Sequence, residues 1–246
     1  MKKKVLPLLC ALGCLAQPAF AANNITNLQG LGQADFNALS EDLGSALSYK
    51  PVAPAAPLGV TGFDIGVELT QTNMAKSSQL WGTITGSGTP MSSLYVPKLH
   101  LDKGLPFGLD IAAFVSKVPT TNISLYGGEL RYAILDGGVA TPAVAIRGAF
   151  TKLSGVNQLS FGTKSLDLSV SKGFAMVTPY LGAGRVWVNS SSNVLSNVTG
   201  AMLTDTFTQN KVFGGINVNF GLMNLAAEVD KTGSARSITG KLGFRW

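Results

Sequence analysis

The sequence predicts an all-β fold: a transmembrane antiparallel up-and-down β-barrel of about ten strands, preceded by a short N-terminal helix. Three observations support it. From residue 59 onward, apolar and polar side chains alternate in segments of about the 9 to 11 residues that a tilted strand needs to cross a bilayer. Charged residues make up only 13% of the 246 residues, against roughly 25% in an average soluble domain. Two long connections between the segments, 73–92 and 190–210, fall at the same predicted end.

Residues 1–21 have the pattern of a secretory signal peptide. Lys2 to Lys4 form a positive region, Val5 to Ala16 an apolar region, and Ala19 to Ala21 a small-residue cleavage site. Both cysteines, Cys10 and Cys14, lie within it, so we expect no thiol chemistry in the mature chain. A lipoprotein signal ending at Cys14 is the alternative interpretation.

Residues 22–58 form a separate N-terminal segment. Apolar residues recur at spacings typical of one face of an amphipathic helix: Phe36, Leu39, Leu43 and Leu47. Pro51 ends that pattern, and the Pro-rich residues 51–58 read as a stiff linker. The helix either packs against a neighbouring surface in the periplasm or enters the barrel as a lumenal plug, and the sequence leaves both open.

Residues 59–246 are predicted to be the barrel domain. Outward positions are exemplified by Ile146, Leu168 and Val218, each flanked by small or polar residues. The predicted strands lie near 60–72, 93–103, 107–117, 123–134, 141–153, 159–171, 177–189, 211–222, 224–231 and 236–246. An eight-stranded arrangement, with the first or last pair counted differently, stays open. Alternation alone does not say which face is lipid and which is lumen, because a soluble barrel has the same period.

The last predicted strand carries a further signal. Its alternate residues, ending in Phe244 and Trp246, share one apolar face. With the signal peptide and the charge deficit, this ending resembles that of bacterial outer-membrane β-barrel proteins, whose final strand typically ends in an aromatic residue read by the barrel-assembly machinery. The resemblance is to the class and to no subfamily. It implies the outer membrane as location, and its lipids and the assembly machinery as partners.

Charged residues cluster on the face opposite the apolar one. If the apolar face meets lipid, the lumen is lined by Glu68, Lys98, His100, Asp110, Glu129, Arg131, Arg147, Asp167, Arg185, Glu228 and Lys241. Buried charges must be paired or solvated, so a structural ladder of ion pairs is one interpretation and a selective pore lining is the other. A barrel of ten strands should be narrow, between filled eight-stranded and open sixteen-stranded barrels.

Aromatic residues near the strand ends predict two interfacial belts. The outer belt would contain Tyr95, Tyr126 and Phe161. The periplasmic belt would contain Phe63, Tyr132, Tyr180, Phe220, Phe244 and Trp246.

These features favour passage or binding of a small solute in a narrow polar lumen. A structural or adhesive barrel that presents its outer loops is the alternative, and a hydrolase dependent on His100, the single histidine, is a third hypothesis. We expect no enzyme activity, no cofactor and no metal, since one histidine and no mature cysteine supply a metal site poorly. Without a basic run or a basic patch interleaved with aromatics, we also expect no nucleic-acid partner.

Overall fold

A computed structural model describes residues 24–138 and 140–246; the predicted signal peptide lies outside this part. Ten antiparallel strands form one closed barrel in which each strand pairs with its sequence neighbours and β1 pairs with β10. The strands are β1 Phe63–Asn73, β2 Ser93–Gly104, β3 Leu109–Lys117, β4 Ser124–Asp136, β5 Ala143–Ser154, β6 Leu159–Ser171, β7 Val177–Leu195, β8 Met202–Phe220, β9 Met223–Thr232 and β10 Ala235–Arg245. The predicted fold class is confirmed, with ten strands.

In the part of the chain that the structure describes, two α-helices and two 3₁₀ turns accompany the strands. Helix α1 spans Gln33–Leu47, within the predicted N-terminal segment, and α2 spans Leu80–Thr85 in the connection between β1 and β2. The 3₁₀ turns are Leu28–Gly30 and Pro106–Gly108. Among the described residues, neither helix has the length and apolar character needed to cross a membrane.

The outer face of the barrel is apolar. Val67, Leu168, Ile216 and Val229 are all more than half exposed, from 51% to 58%. Residues between them in the strands point inward and are buried. The apolar residues of the alternating pattern therefore face lipid, and the polar residues face the lumen. A continuous apolar exterior of this kind is stable against acyl chains and unfavourable against water.

The two ends of the barrel differ. Phe63 and Trp246 meet at one end, where 172–176 and 221–222 are short connections. The longest connection, 74–92, lies at the other end. Outer-membrane barrels have short periplasmic turns and longer extracellular loops, which makes the end near Trp246 periplasmic.

The sequence predicted a long loop at 190–210, and this prediction is wrong. β7 and β8 continue beyond the other strands as a hairpin, and only 196–201 connects them. Asn, Ser and Thr dominate this extension on its outer side. The period-2 signal needs one apolar face, and outside the bilayer neither face has to be apolar, so the strands continue without the pattern that marks them.

The periplasmic seam of the barrel is closed by an aromatic pair. The rings of Phe63 and Trp246 stack with centroids 5.3 Å apart and planes 19° apart. Their backbones are also joined, with the N–H of each donating to the carbonyl of the other. The pair joins the first residue of β1 to the residue that follows β10.

We expect Trp246→Ala to lower the amount of folded protein in the outer membrane, because stacking of this kind contributes about 0.5–1.5 kcal/mol beyond its buried area. Trp246→Phe should retain most of the folded protein, because a phenylalanine ring can still stack on Phe63. The measurement is the heat-modifiable, folded fraction in isolated outer membranes. Phe107→Ala is the matched control, since Phe107 is 91% exposed at the same end; an equal loss in this control would contradict the role of the stack.

Candidate functional site

The lumen is filled by the chain's own residues 24–58. In the extracellular half, α1 lies against the inner wall with its predicted apolar residues Phe36, Leu39, Leu43 and Leu47 at most 1% exposed. They join a cluster that includes Val96, Phe114, Val186 and Val188 of the wall. Of the two placements that the sequence left open, the structure shows the lumenal one. We call residues 24–58 the plug.

The plug crosses the extracellular mouth before it enters the lumen. The Ile25 backbone exchanges hydrogen bonds with the Asn122 side chain, from N to Oδ1 (3.0 Å) and from Nδ2 to O (2.9 Å). Leu28 N donates to Gln158 Oε1 at 2.9 Å, and Thr26 N donates to the carbonyl of Ile84 at 3.0 Å. One segment therefore connects three extracellular loops.

Helix α2 closes part of the same mouth. Trp81 and Ile84 are fully buried in the apolar cluster. Gly86 ends the helix with a positive φ of 68°, the left-handed conformation that glycine adopts without strain. The sequence analysis missed this helix, although Leu80, Trp81 and Ile84 have helical spacing.

The plug is polar where it continues toward the periplasm. Lys50 Nζ lies 2.8 Å from Asp230 Oδ1 and donates to the carbonyl of Ser45, also at 2.8 Å. Burial lowers the pKa of Lys50, and the Asp230 carboxylate opposes that shift. Val52 N donates to Glu228 Oε2 at 3.0 Å. The plug thus supplies one partner to each of two carboxylates on β9.

The linker is held by the wall down to the periplasmic end. Arg131 Nη1 donates to the carbonyl of Pro54 at 2.9 Å, and Ala55 N donates to Ser171 Oγ at 3.0 Å. At the bottom, Leu58 N donates to Asp110 Oδ1 at 3.1 Å. With Val52, four of the eight linker residues are therefore hydrogen-bonded to four different strands.

Most of the predicted lumenal charges do lie inside and buried. The wall carries ion pairs between Arg131 and Asp110 (2.6 Å), Lys241 and Asp64 (2.8 Å), and Lys211 and Asp167 (3.2 Å). Glu68 lies between His100 at 2.8 Å and Lys98 at 3.8 Å. The predicted residues found inside are Glu68, Lys98, His100, Asp110, Glu129, Arg131, Arg147, Asp167, Glu228 and Lys241.

Arg185 is the exception, and its prediction is wrong. Its side chain is exposed on the outer face of β7, while Val186 and Val188 point inward. The assignment assumed that the lumen is polar throughout. Because α1 presents an apolar face to β7, the inner residues of this strand are apolar there and the arginine takes the outer register. Phe161 and Tyr180 also differ from the predicted belts, since both are buried inside at 4% exposure.

Four important lumenal groups were not in the predicted set: Tyr49, Lys50, Lys211 and Asp230. Lys211 and Asp230 share the inward register of Asn217 and Glu228 on their strands, so the period-2 pattern contains the signal that would have found them. Tyr49 and Lys50 follow the end of α1, where no periodicity applies. Only the docked position of the plug reveals them.

His100 lies beneath the plug at 2% exposure. Its Nδ1 is 2.8 Å from Glu68 Oε1, and its Nε2 is 3.1 Å from the hydroxyl of Tyr49. The carboxylate of Asp102 is 3.4 Å from Nε2. Both ring nitrogens are therefore engaged within the barrel.

Polar atoms on the β5–β6 wall are less completely satisfied. Arg147 Nε lies 2.7 Å from Glu129 Oε2, but the geometry is not that of a hydrogen bond. The hydroxyls of Thr151, Ser165 and Ser169 are also buried without a protein partner. Buried hydroxyls of this kind are ordinarily hydrogen-bonded to water. We call these four residues the polar seam.

An open cleft lies at the extracellular end, beside the plug. β8 pairs with β9 only from Lys211 inward, so the outer part of β8 has no strand on that side. The gap is a cleft of about 490 Å³ bordered by α1, the outer part of β8 and the β9–β10 turn. Its polar lining includes Asn37, Glu41, Lys76, Asp205 and Ser234.

Comparison with known proteins finds solved structures with a similar fold. No protein-family model and no curated protein sequence matches the chain. The N-terminal β-barrel domain of Pseudomonas aeruginosa OprF is 15% identical with a TM-score of 0.38, over 76% of this chain and 99% of that one. Neisserial surface protein A is 14% identical with a TM-score of 0.29, over 75% and 94%. The KdgM porin in complex with disordered oligogalacturonate is 8% identical with a TM-score of 0.38, over 74% and 98%.

The chain is a bacterial outer-membrane β-barrel protein. Its closed antiparallel sheet leaves no strand edge in the bilayer, its exterior is largely apolar, and most carboxylates of its strands are buried in the lumen. The class-level resemblance read from the sequence is confirmed.

We expect Gly44→Leu to destabilise the plugged barrel. A Cβ on Gly44 would lie 2.9 Å from both Gln209 Oε1 and Val188 Cγ2, so a larger side chain overpacks the contact between α1 and the wall. Such overpacking costs about 1–3 kcal/mol, which thermal unfolding in detergent should detect as a lower Tm. Ala34→Leu on the exposed side of α1 is the control and should leave the Tm unchanged.

Lys50→Met should lower the free energy of unfolding by about 3–5 kcal/mol, because it leaves the buried Asp230 carboxylate without its cation. Adding Asp230→Asn should recover much of the loss, since the uncompensated charge is then removed. Urea unfolding in lipid vesicles measures both. Lys76→Met breaks the exposed pair with Glu41 and should change stability by less than about 1 kcal/mol. Failure of the double variant to recover stability would contradict the ion-pair role.

Proposed function

We propose that this protein is an outer-membrane barrel closed by its own plug and that it acts through its extracellular surface, as a recognition or adhesive protein without enzyme activity. The observation that carries the proposal is the attachment of the plug along its whole length. It is fixed at the mouth by Asn122 and Gln158, in the middle by Asp230, and at the bottom by Asp110.

Attachment of this kind favours a permanent plug over a moving gate. Displacing it would expose the apolar cluster around Phe36, remove the cation that pairs with Asp230 and take one hydrogen bond from Glu228. Each uncompensated buried charge costs several kcal/mol. A gate needs two conformations of similar free energy, and these contacts all favour the closed one.

The extracellular end supports recognition as the role. Its loops are joined through the plug into one ordered surface, and the cleft beside the outer part of β8 is open to solvent. An unpaired strand edge next to a polar recess offers backbone and side-chain hydrogen bonds to a partner. A rigid surface also loses little conformational entropy when a partner binds.

Solute passage is the second candidate, and the polar seam is the observation that favours it. Arg147, Thr151, Ser165 and Ser169 would line a hydrated path between the plug and the β5–β6 wall. Such a path would carry only water or small ions.

The surroundings of His100 support a structural role. Both of its ring nitrogens are engaged, and the plug separates it from both ends of the barrel. A general base must reach a bound substrate, and a histidine enclosed in this way is out of a substrate's reach.

Planar-bilayer recording tests the proposal. We expect the full-length protein to conduct no ions, and a variant lacking residues 24–50 to give discrete conductance steps because the lumen is emptied.

A disulfide lock provides a test that keeps the plug in place. Ser40 Oγ on α1 and Ser190 Oγ on β7 are 2.8 Å apart, so Ser40→Cys with Ser190→Cys should form a disulfide between plug and wall. We expect both the oxidised and the reduced double variant to be silent. If the oxidised double variant is silent while its reduced form and the Ser40→Cys control conduct, the protein is a gated channel and the proposal is wrong.

A further inference from the structure

Basic side chains on the outer face of the barrel concentrate toward its extracellular end. Six of them are exposed there on strands, and no described outward-facing strand residue at this end is acidic. They are Lys117, Lys152, Lys164, Arg185, Lys231 and Arg236. Exposed basic residues facing lipid are costly unless they reach the interface or an anion, so their concentration at this end points to the outer headgroup region.

Three of the six form a compact patch on consecutive strands. Lys152 on β5 is opposite Gly162 on β6, two residues from Lys164. Arg185 on β7 is opposite Leu166, which follows Lys164 by two residues along β6. Diagonal neighbours of this kind lie about 7–8 Å apart between strands. We call Lys152, Lys164 and Arg185 the basic patch.

The stem of Lys152 lies across Gly162. A Cβ on this glycine would be 3.5 Å from Lys152 Cδ and 3.8 Å from its Cε. The absence of a side chain on Gly162 therefore lets Lys152 lean over β6, onto the strand that carries Lys164. The three cations face one region of the surface.

Aromatic residues place the patch at the lipid interface. Tyr126 is directly opposite Lys152, and Trp187 is directly opposite Lys164. Both rings are exposed, at 49% and 43%, and Tyr and Trp in such positions mark the headgroup level. Leu166 and Leu168 continue the same strand toward the bilayer centre.

Among the described residues, no carboxylate forms an ion pair with the patch. The ion pairs of the described residues involve none of its three cations. Phosphate is the anion that a lipid headgroup supplies at this depth, and Arg and Lys are its usual protein ligands. Three cations suit a headgroup with more than one phosphate.

We propose that the basic patch binds the phosphorylated headgroup of an outer-leaflet lipid, with the acyl chains lying against Leu166 and Leu168. A bisphosphorylated glycolipid has the charge and the acyl chains that this surface fits. The site is on the outside of the barrel and is independent of the state of the plug.

The probe is bisphosphorylated lipid A, added to the full-length protein in mild detergent, with retained lipid counted by native mass spectrometry. We expect one tightly retained lipid A per barrel. The triple variant Lys152→Gln, Lys164→Gln, Arg185→Gln should bind about a hundredfold more weakly, since each basic residue near a charged lipid surface contributes about a factor of five. Dephosphorylated lipid A should also bind weakly to the unaltered protein.

A matched variant removes the three other basic residues of the same end: Lys117→Gln, Lys231→Gln and Arg236→Gln. It has the same net charge as the patch variant and should retain lipid A to within about twofold. Both variants should keep the Tm of the unaltered protein, because none of the six side chains is buried. Equal loss in both variants, equal binding of dephosphorylated lipid A, or displacement by inorganic pyrophosphate as effective as by lipid A would overturn the proposal.

Discussion

A charge enclosed by a closed barrel must meet an opposite charge or a hydrogen-bonding group, and this requirement determines how the lumen is built. The wall meets it only in part. Glu228 and Asp230 point inward from adjacent positions on one strand face, and their partners include Val52 N and Lys50 Nζ. The residues that precede the barrel in the chain therefore complete its interior.

The same requirement divides the lumen into two halves. Where the wall is charged, the plug is extended and offers backbone N–H groups and carbonyls. Where the wall is apolar, at Val96, Val186 and Val188, the plug is a helix that hydrogen-bonds its own backbone and presents leucines. Secondary structure in the plug thus follows the polarity of the wall around it.

The sequence was sufficient for the strands that cross the bilayer, because the contrast between lipid and lumen imposes a period of two on every residue. The inward register of Glu68, Arg131 and Asp167 could be read for this reason. That contrast disappears at two places. Outside the bilayer, the β7–β8 extension has no apolar face to mark it. Beside α1, the inner face of β7 is apolar at Val186 and Val188, which reversed the expectation for Arg185.

Contacts that depend on docking could not be read from the sequence. Lys50 follows a helix end, and nothing local indicates that Asp230, far away in the chain, is its partner. Similarly, Asn122 and Gln158 look like ordinary polar loop residues until the plug lies across them. Helical spacing predicted that Phe36 to Leu47 have one apolar face, but the surface that covers this face is a property of the folded barrel.

The direction of the plug has a consequence for how the molecule is made. Asn24 lies near the outer mouth, and Leu58 lies near the inner end beside the start of β1. A chain that crosses the lumen in this direction cannot be threaded through a finished cylinder with its mouth covered by α2. We therefore expect this segment to be inside before β1 pairs with β10, so that the last strand closes around an occupied interior.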